Sequence, residues 1–578
     1  MLLYRKSPVF FIEDKKLHYY QKGDEVVLSQ SGENPHLVTM HGAGWVHNKL
    51  VYQSSHLSQF KLDDVLTSVF GESHKGVLCT YVYSERESFI FPDPLGSSIL
   101  FYYQKDRVFA CSTDLQELVD VLNENGIILK KNLHFLTETV CTGNGGFFES
   151  SYEDIEALMP HRYLRICNGE VFFLKYRTES VIFEIPKFGI DEIYADINAN
   201  ILAILEKKDI KKISHITGGF DSRLVFSALI HNNISAKDHI AFLCNGNKKL
   251  VDKSVAMKLC GTFNQPMVNV PGILSNPNFA DNLLRHTSGL SMQHPPIAKI
   301  RNELTIAGGF GENLRSFYSQ ALTGEAGIEQ DLAKVIEKLY GSVLAIDEKS
   351  RFVSTNFYES FLARFKAKVA FALDNGLDFF AAIDYLYISV RNRYFLSQTS
   401  INYSNISPRV DPLYSVFGAG YALHMDAKSR QSNLLGLELM HSFSPACLAL
   451  PFDRERITTE FRGKYPNFQP KEFSKASPKF VNHTPVALQT NDGLSTRHPT
   501  STDIELANEL GAPLWQVANL NNVQEKLRKF IDNIDRAELA QNFDPKYIGY
   551  LSRQPLRNRV HIRRLFNIYN ILSWYYEG

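Results

Sequence analysis

The chain has 578 residues, 44% of them apolar and 12% aromatic: too long for one hydrophobic core, and rich enough in core-forming side chains for two or three packed domains. Lysine plus arginine and aspartate plus glutamate number 62 each, and that balance removes a global electrostatic argument for a nucleic acid or an anionic membrane as partner. The seven cysteines (79, 111, 141, 167, 244, 260 and 447) are odd in number and form no Cys-x-x-Cys pair, against both a disulfide framework and a zinc site. The first residues, MLLYRKSPVFFIEDKK, hold only a short apolar run from Val9 to Ile12. Neither a signal peptide nor a membrane span is expected, and the expected location is cytoplasmic, where a sequon such as Asn402-Tyr403-Ser404 carries no glycan.

In chain order, MHGAGWVH (Met40 to His47) reads as a loop. It is similar to a hydrolase oxyanion loop, but no G-x-S-x-G elbow accompanies it. From Val77 to Thr113, β-branched and aromatic residues alternate with polar ones, interrupted at Pro92-Asp93-Pro94-Leu95-Gly96, which predicts successive strands and hairpins of a layered sheet. Cys79 lies in the apolar strand VLCTYVY and reads as a buried structural thiol. A helix is expected over Leu115 to Asn123, and strands over Tyr163 to Cys167 and Val171 to Tyr176, joined by the hairpin-forming pair Asn168-Gly169. A break near Arg177 to Lys187 ends this α+β domain, assigned to 1–176 with a linker at 177–190.

From Asp191 the pattern alternates: helix to Leu205, strand from Ile213, helix from Ser222, strand His239 to Leu243, helix Val251 to Leu259, strand Met267 to Val270. This predicts an α/β domain over 191–578 with a parallel, doubly wound sheet, whose ligands sit at the carboxyl ends of the strands. The turn Thr217-Gly218-Gly219-Phe220-Asp221-Ser222 falls at such an end. Its glycines admit an anion close to the backbone, and the N–H groups opening the helix face that anion. Asp221 is placed to carry a magnesium ion. No lysine follows, so this is not a Walker loop, and an ordinary strand-to-helix turn capped by glycine and aspartate has the same local pattern. TIAGGFGENLRSFYS (Thr305 to Ser319) is a second strand into a glycine-rich turn, with Glu312 as its acid. Tyr465 to Thr502 lacks periodicity and is either a disordered insertion or an active-site lid. In the C-terminal tail, Leu565, Ile568, Ile571 and Leu572 share one helical face, expected to pack on the second domain. The histidines form no H-E-x-x-H or other close metal set.

TGGFDS resembles the S-G-G-x-D-S loop of the ATP pyrophosphatases, with Thr217 retaining the hydroxyl of the first serine. The second turn resembles the S-G-x-G-A-D-E turn of asparagine synthetases. SPRVDPLYS (Ser407 to Ser415) and SPACLALPFDRER (Ser444 to Arg456) are similar to that family's R-x-P-F-L-D and P-x-L-A-x-[IL]-P-F stretches. In the first half, DPLGSSILFYY, FACSTDLQELV and GFFESSYEDIEALMPHRYLRI resemble segments of the glutaminase domain of the same enzymes. The resemblance covers most of the chain at low identity. It implies an Ntn-hydrolase-like layered domain followed by an adenine-nucleotide α-hydrolase-like synthetase domain. One departure bears on chemistry. Family members that hydrolyse glutamine use a cysteine at the mature N-terminus, whereas this chain begins Met1-Leu2-Leu3, so the glutaminase is expected to be lost and the domain to resemble those of β-lactam synthetases and lasso-peptide cyclases.

The resemblance assigns ATP and Mg²⁺ as cofactors. Thr217, Gly218, Gly219, Phe220, Asp221 and Ser222 would hold pyrophosphate, Asp221 and Glu312 the metal, and Leu243, Ala307 and Gly308 the adenine. Glu for Asp at 312 lengthens the arm, and Asn313 replaces a second acid. Stabilising the leaving pyrophosphate needs fixed positive charge, for which Arg409, Lys471 and Lys475 are the catalytic candidates, with Arg391 and Arg393 beside them. The implied reaction is an AMP-forming amide ligation in which ATP adenylates a substrate carboxylate and an amine of the substrate displaces AMP, as in a peptide macrolactam cyclase or another natural-product ligase. The alternatives are an amidotransferase taking ammonia from solution or a partner glutaminase, acting on a sugar or amino acid, and a nucleotide-binding protein without ligase activity. Expected partners are a carboxylate-bearing substrate such as a precursor peptide, and a protease or glutaminase. No nucleic acid or membrane is expected, and oligomeric state is open.

Overall fold

The alternating residues before position 176 form two antiparallel sheets. In the computed structural model, which describes residues 7–20, 25–28, 36–70, 74–84, 86–244, 251–269, 284, 287–290, 303–344, 351–404, 407–482 and 499–577, the strands are β1 (Val9–Glu13), β2 (Lys16–Tyr20), β3 (Val26–Leu28), β4 (His36–Val46), β5 (Lys49–Val51), β6 (Lys75–Tyr83), β7 (Glu87–Pro92), β8 (Phe101–Lys105), β9 (Val108–Ser112), β10 (Ile155–Ala157), β11 (Arg162–Cys167) and β12 (Glu170–Lys175). One sheet runs β10-β8-β9-β1-β2, the other β12-β11-β7-β6-β4-β3 with β5 on β4. Asn168 and Gly169, with φ of 49° and 74°, close the β11–β12 hairpin as expected.

Inward-facing Phe10, Ile12, Cys79, Tyr81, Ile90, Phe109 and Leu164 fuse the two sheets. Fully burying each of the large side chains among them is worth about 1.5–3 kcal/mol. The outer face of the first sheet packs under helices Leu115–Glu124 and Leu133–Thr142, and that of the second under helix Leu62–Phe70, giving helix, sheet, sheet, helix in four layers. MHGAGWVH is not the loop expected: Met40 to Val46 belong to β4, and His47 begins the turn to β5. A Cβ on Gly42, whose φ is +96°, would stand 2.0 Å from the Val77 carbonyl oxygen on β6, so glycine serves the close approach of two strands rather than a turn.

The second half holds a wholly parallel sheet of β13 (Lys211–His215), β14 (Ile240–Leu243), β15 (Met267–Asn269), β16 (Glu303–Ile306), β17 (Arg409–Val410) and β18 (Phe480–Asn482), in the order β17-β16-β13-β14-β15-β18. Helices Ile190–Glu206, Phe220–His231 and Val251–Thr262 follow their predicted spans closely. The chain steps outward from β13 through β14 and β15, then returns to the other side of β13 with β16, so the topological switch point lies between β13 and β16. The aperiodic stretch after Tyr465 is not simply insertion or lid: Phe480–Asn482 is the edge strand of this sheet, and Ser501–Leu510 is a helix with a capping box at Thr500. Residues 483–498 of that stretch, and Met1-Leu2-Leu3, lie outside the described residues.

The two halves are joined by polar and apolar contacts. The Asp93 carboxylate accepts from Ser97 and Ser98 N–H and from the Tyr414 hydroxyl (2.7 Å). Arg393 donates to the Gly96 and Leu158 carbonyls, and Lys75 reaches Asp196 and Asn200 on helix Ile190–Glu206. The expected break near 177–187 contains a short helix, Glu179–Phe183, with Ile182 and Phe183 buried. The C-terminal helix Arg559–Glu577 buries the predicted face, but packs on helix Leu133–Thr142 of the first half as well as on Leu514–Asn533. Its Trp574 stacks edge-on to Tyr152. Among the described residues no helix is long and apolar enough to cross a membrane.

Candidate active site

Two glycine turns leave the sheet at the switch point. The first, after β13, is fastened by its own side chains: Thr217 N–H donates to Ser222 Oγ (3.0 Å), the Thr217 and Ser222 hydroxyls bond each other (2.9 Å), and Gly219 N–H donates to Thr217 Oγ1 (3.1 Å). Gly218 N–H donates to Asp252 Oδ1 at the start of helix Val251–Thr262 (3.1 Å). Thus the donors of Thr217, Gly218 and Gly219 meet hydroxyl or carboxylate oxygens within the protein.

The second turn, after β16, is held by Ala307 N–H on the Val410 carbonyl and Gly309 N–H on the buried Asp411 carboxylate (2.8 Å). It ends in a 3₁₀ turn, Gly311–Leu314, that carries Glu312. A Cβ on Gly308 would lie 2.8 Å from Ser222 N, and one on Gly311 would lie 2.6 Å from Asp221 Oδ1. Glycine at both positions lets the turns touch, and this contact brings Glu312 beside Asp221.

Between the two carboxylates stands Arg315. Its guanidinium bonds Asp221 Oδ2 (2.7 Å) and comes within 4.0 Å of Glu312 Oε1, while about a fifth of each of the three side chains stays exposed, 19% to 23%, so the cluster is reachable from solvent. Asp221 Oδ1 is buried with no hydrogen-bond partner. Burial raises the Asp221 carboxyl above its ordinary range against the pull of Arg315 and Arg456. Burial, and then the Asp221 charge, push Glu312 up to about 7. Tyr387, at the head of the π-helix Tyr387–Ser397, stands near enough to Glu312 to offset part of that rise. A π-helical stretch of this length is uncommon and often marks function.

Two adjacent carboxylates with one unpartnered oxygen fit a hard divalent cation, which takes oxygen ligands. Among the described residues no group of three or more His, Cys, Asp or Glu side chains is placed to hold a metal. Such an ion would therefore complete its shell with water or with ligand oxygens.

The other predicted residues fall at varied distances from this centre. Leu243 ends β14, and its carbonyl accepts from Ile216 N–H. The PFDRER stretch folds over the first turn: Asp453 N–H bonds the Gly218 carbonyl (3.1 Å), and Arg456 bonds the Asp453 carboxylate. Buried Arg223 pins that stretch by donating to the Leu450 and Pro451 carbonyls, its guanidinium 3.7 Å from the Phe452 ring centre. Arg409 pairs with Asp411 (3.1 Å), and these two flank half-buried His215, which desolvation and then the Arg409 charge lower to about 4. Lys471 and Lys475 are exposed, with only the Lys471 backbone tied down, to the Ala449 carbonyl. Arg393 fastens the halves together, and Arg391 lies against Phe317 and Phe395. Asn313, in place of a second acid, accepts from Asn392 (2.9 Å). Sequence reasoning missed Arg315, Arg456 and Asp252. The first two lie inside motifs already singled out, with their roles unread, and Asp252 is invisible without the strand order.

In the first half Cys79 is fully buried between the sheets, and burial drives its thiol well above the ordinary range. It is no nucleophile in this fold.

No family model matches the chain, and no curated protein matches it. Among solved structures, glutamine phosphoribosylpyrophosphate amidotransferase from B. subtilis, complexed with ADP and GMP, is similar at 11% identity over 58% of this chain and 73% of that one, with a TM-score of 0.18. The allosteric regulatory enzyme of purine biosynthesis is similar at 10% identity over 60% of this chain and 77% of that one, also with a TM-score of 0.18. Superpositions this slight add nothing to the fold described above.

Proposed function

We propose that the chain is an ATP-dependent, AMP- and pyrophosphate-forming amide ligase of the asparagine-synthetase-like kind, with an Ntn-hydrolase-like first half that has lost its glutaminase. One observation carries the reading: the acids of two glycine turns, Asp221 and Glu312, converge at the switch point of a parallel sheet, where only glycine at 308 and 311 permits the approach. Magnesium bound there would neutralise phosphate charge as a carboxylate oxygen of the substrate attacks the α-phosphorus and pyrophosphate leaves. Arg456 and Arg315 supply nearby positive charge. An amine then attacks the acyl carbon, loses its proton, and releases AMP. With Cys79 sealed between sheets, the amine comes from the substrate itself, as in macrolactam formation, or as ammonia from elsewhere.

Carboxylate-dependent exchange of labelled pyrophosphate into ATP tests the reading. Exchange that needs a carboxylate pool and Mg²⁺ supports it, and stimulation of product formation by added ammonia separates the two amine sources. A second reading, a nucleotide-binding protein without ligase activity, is favoured by Asn313, which stands in place of a second acid and is turned to Asn392. Nucleotide binding without exchange against any carboxylate pool would support it.

A further inference from the structure

We infer that Arg315 is the resident counter-cation of the Asp221–Glu312 pair, and that a divalent ion gains those carboxylates only together with a polyphosphate that draws the guanidinium away. The inference rests on the metal-nucleotide reading of this site. Its basis is geometric. The guanidinium sits 2.7 Å from Asp221 Oδ2 and 4.0 Å from Glu312 Oε1, so it occupies the space between the two acids in which a shared cation would lie. The guanidinium carries one charge and a magnesium ion two. Adding the ion without moving the arginine would set three positive charges against two carboxylates within a few ångströms, in surroundings where screening is weak.

The rest of the side chain's environment agrees. Among the described residues the Arg315 guanidinium hydrogen-bonds Asp221 alone, and its Nε is buried without a partner, so little besides the two acids holds it in place. Arg223 and Arg430 in this same half each leave one guanidinium nitrogen without a hydrogen-bond partner too, but both are held at two or more acceptors. Arg223 closes on two backbone carbonyls, and Arg430 on the Asp384 carboxylate and the Leu423 and Met425 carbonyls. Arg315 is anchored by Asp221 and leans toward Glu312, the two oxygen donors that a metal would take. A polyphosphate offers the displaced guanidinium oxygens in the planar, bidentate form it prefers. Metal and nucleotide would then bind as a unit: either alone finds the site half-compensated, and both together exchange one ion pair for two. Binding of one must strengthen binding of the other by the same factor.

Mn²⁺ titrated into the full-length protein, followed by the electron paramagnetic resonance signal of free Mn²⁺ with and without ATP, tests this without needing turnover. Wild type should bind Mn²⁺ alone weakly and at least about tenfold more tightly in the presence of ATP. Arg315→Gln should bind Mn²⁺ alone about tenfold more tightly than wild type and lose most of the gain from ATP. Arg315→Lys, which keeps the charge in a compact head group, should remain close to wild type for Mn²⁺ alone and guards against a folding defect in the first variant. Equal affinity of wild type and Arg315→Gln for Mn²⁺ alone, with an undiminished ATP effect, overturns the role of Arg315 and leaves the metal site standing. If Mn²⁺ with ATP binds none of these proteins, or binds Asp221→Asn as well as wild type, the metal-nucleotide reading falls first and takes this inference with it.

Discussion

Lone buried acids fed by backbone N–H groups occur in both halves, Asp384 of the second half taking three of them, and the acid pair at the glycine turns departs from the pattern that the first half keeps. In the sandwich, Asp93 and Glu138 each stand alone and take backbone donors: Asp93 from Ser97 and Ser98, Glu138 from Phe147 and Phe148. Each holds a loop in shape, and burial raises their carboxyls to about 6 and about 8. In the parallel-sheet half, Asp221 and Glu312 stand next to each other with a single guanidinium to share, an oxygen of Asp221 unpaired, and a fifth of their surface open. A lone acid fed by N–H groups is a clamp for a loop. Two acids pressed together at the mouth of a sheet cost stability that no nearby fold feature requires, and that cost is what marks a binding centre.

The contrast is broken most sharply by substituting one residue on each side. Asp221→Asn should lower ATP cleavage about 100-fold or more in a pyrophosphate-release assay, the scale of loss when a charge-stabilising group is removed, while Cys79→Ser should leave it within about twofold of wild type. Loss of activity in the cysteine variant would return chemistry to the sandwich. Next in size, Arg393→Met strips two carbonyl acceptors of a charged donor at the joint of the halves and should cost about 4 kcal/mol in denaturant unfolding, with the single transition resolving into two.

A smaller effect comes from pH. The Asp93 carboxyl is raised in the fold from its ordinary 3.8 to about 6, so its favourable contribution is fully present below about pH 3.8 and is lost as pH rises through about 6. Asp93→Asn removes that dependence: from pH 4 to pH 7 the stability of the variant relative to wild type should climb by up to about 3 kcal/mol, read from urea midpoints. A flat difference would mean that Asp93 is charged at no cost. Smallest of all, Lys471→Ala and Lys475→Ala, both exposed, should each change stability by less than about 0.5 kcal/mol.

Much of this was legible in the residues. The strands from Lys75 to Ser112, the Asn168-Gly169 hairpin and the helix opening at Phe220 follow local rules of alternation and turn chemistry, and these persisted in the fold. Three elements were not legible, each for the same reason. Gly42 and Gly44 looked like a loop because their cause, the backbone of β6, is more than 30 residues away in the chain. Phe480–Asn482 is three residues of edge strand whose pairing among the described residues is with β15, roughly 210 positions earlier, and no short-range pattern announces it. The C-terminal helix showed its apolar face but not the helix from the first half that covers it. At the site, the acids were readable from the two glycine turns, whereas Arg315 was not, because its role depends on the angle at which one turn meets the other.

The central claim is that Asp221 and Glu312 form one metal-nucleotide centre. Calorimetric titration of Mg·ATP into wild type and into the double variant Asp221→Asn, Glu312→Gln tests it most directly. Saturable binding by wild type, weakened at least about 100-fold in the variant, is the predicted result, while equal binding by the two proteins, or none by wild type, would contradict it.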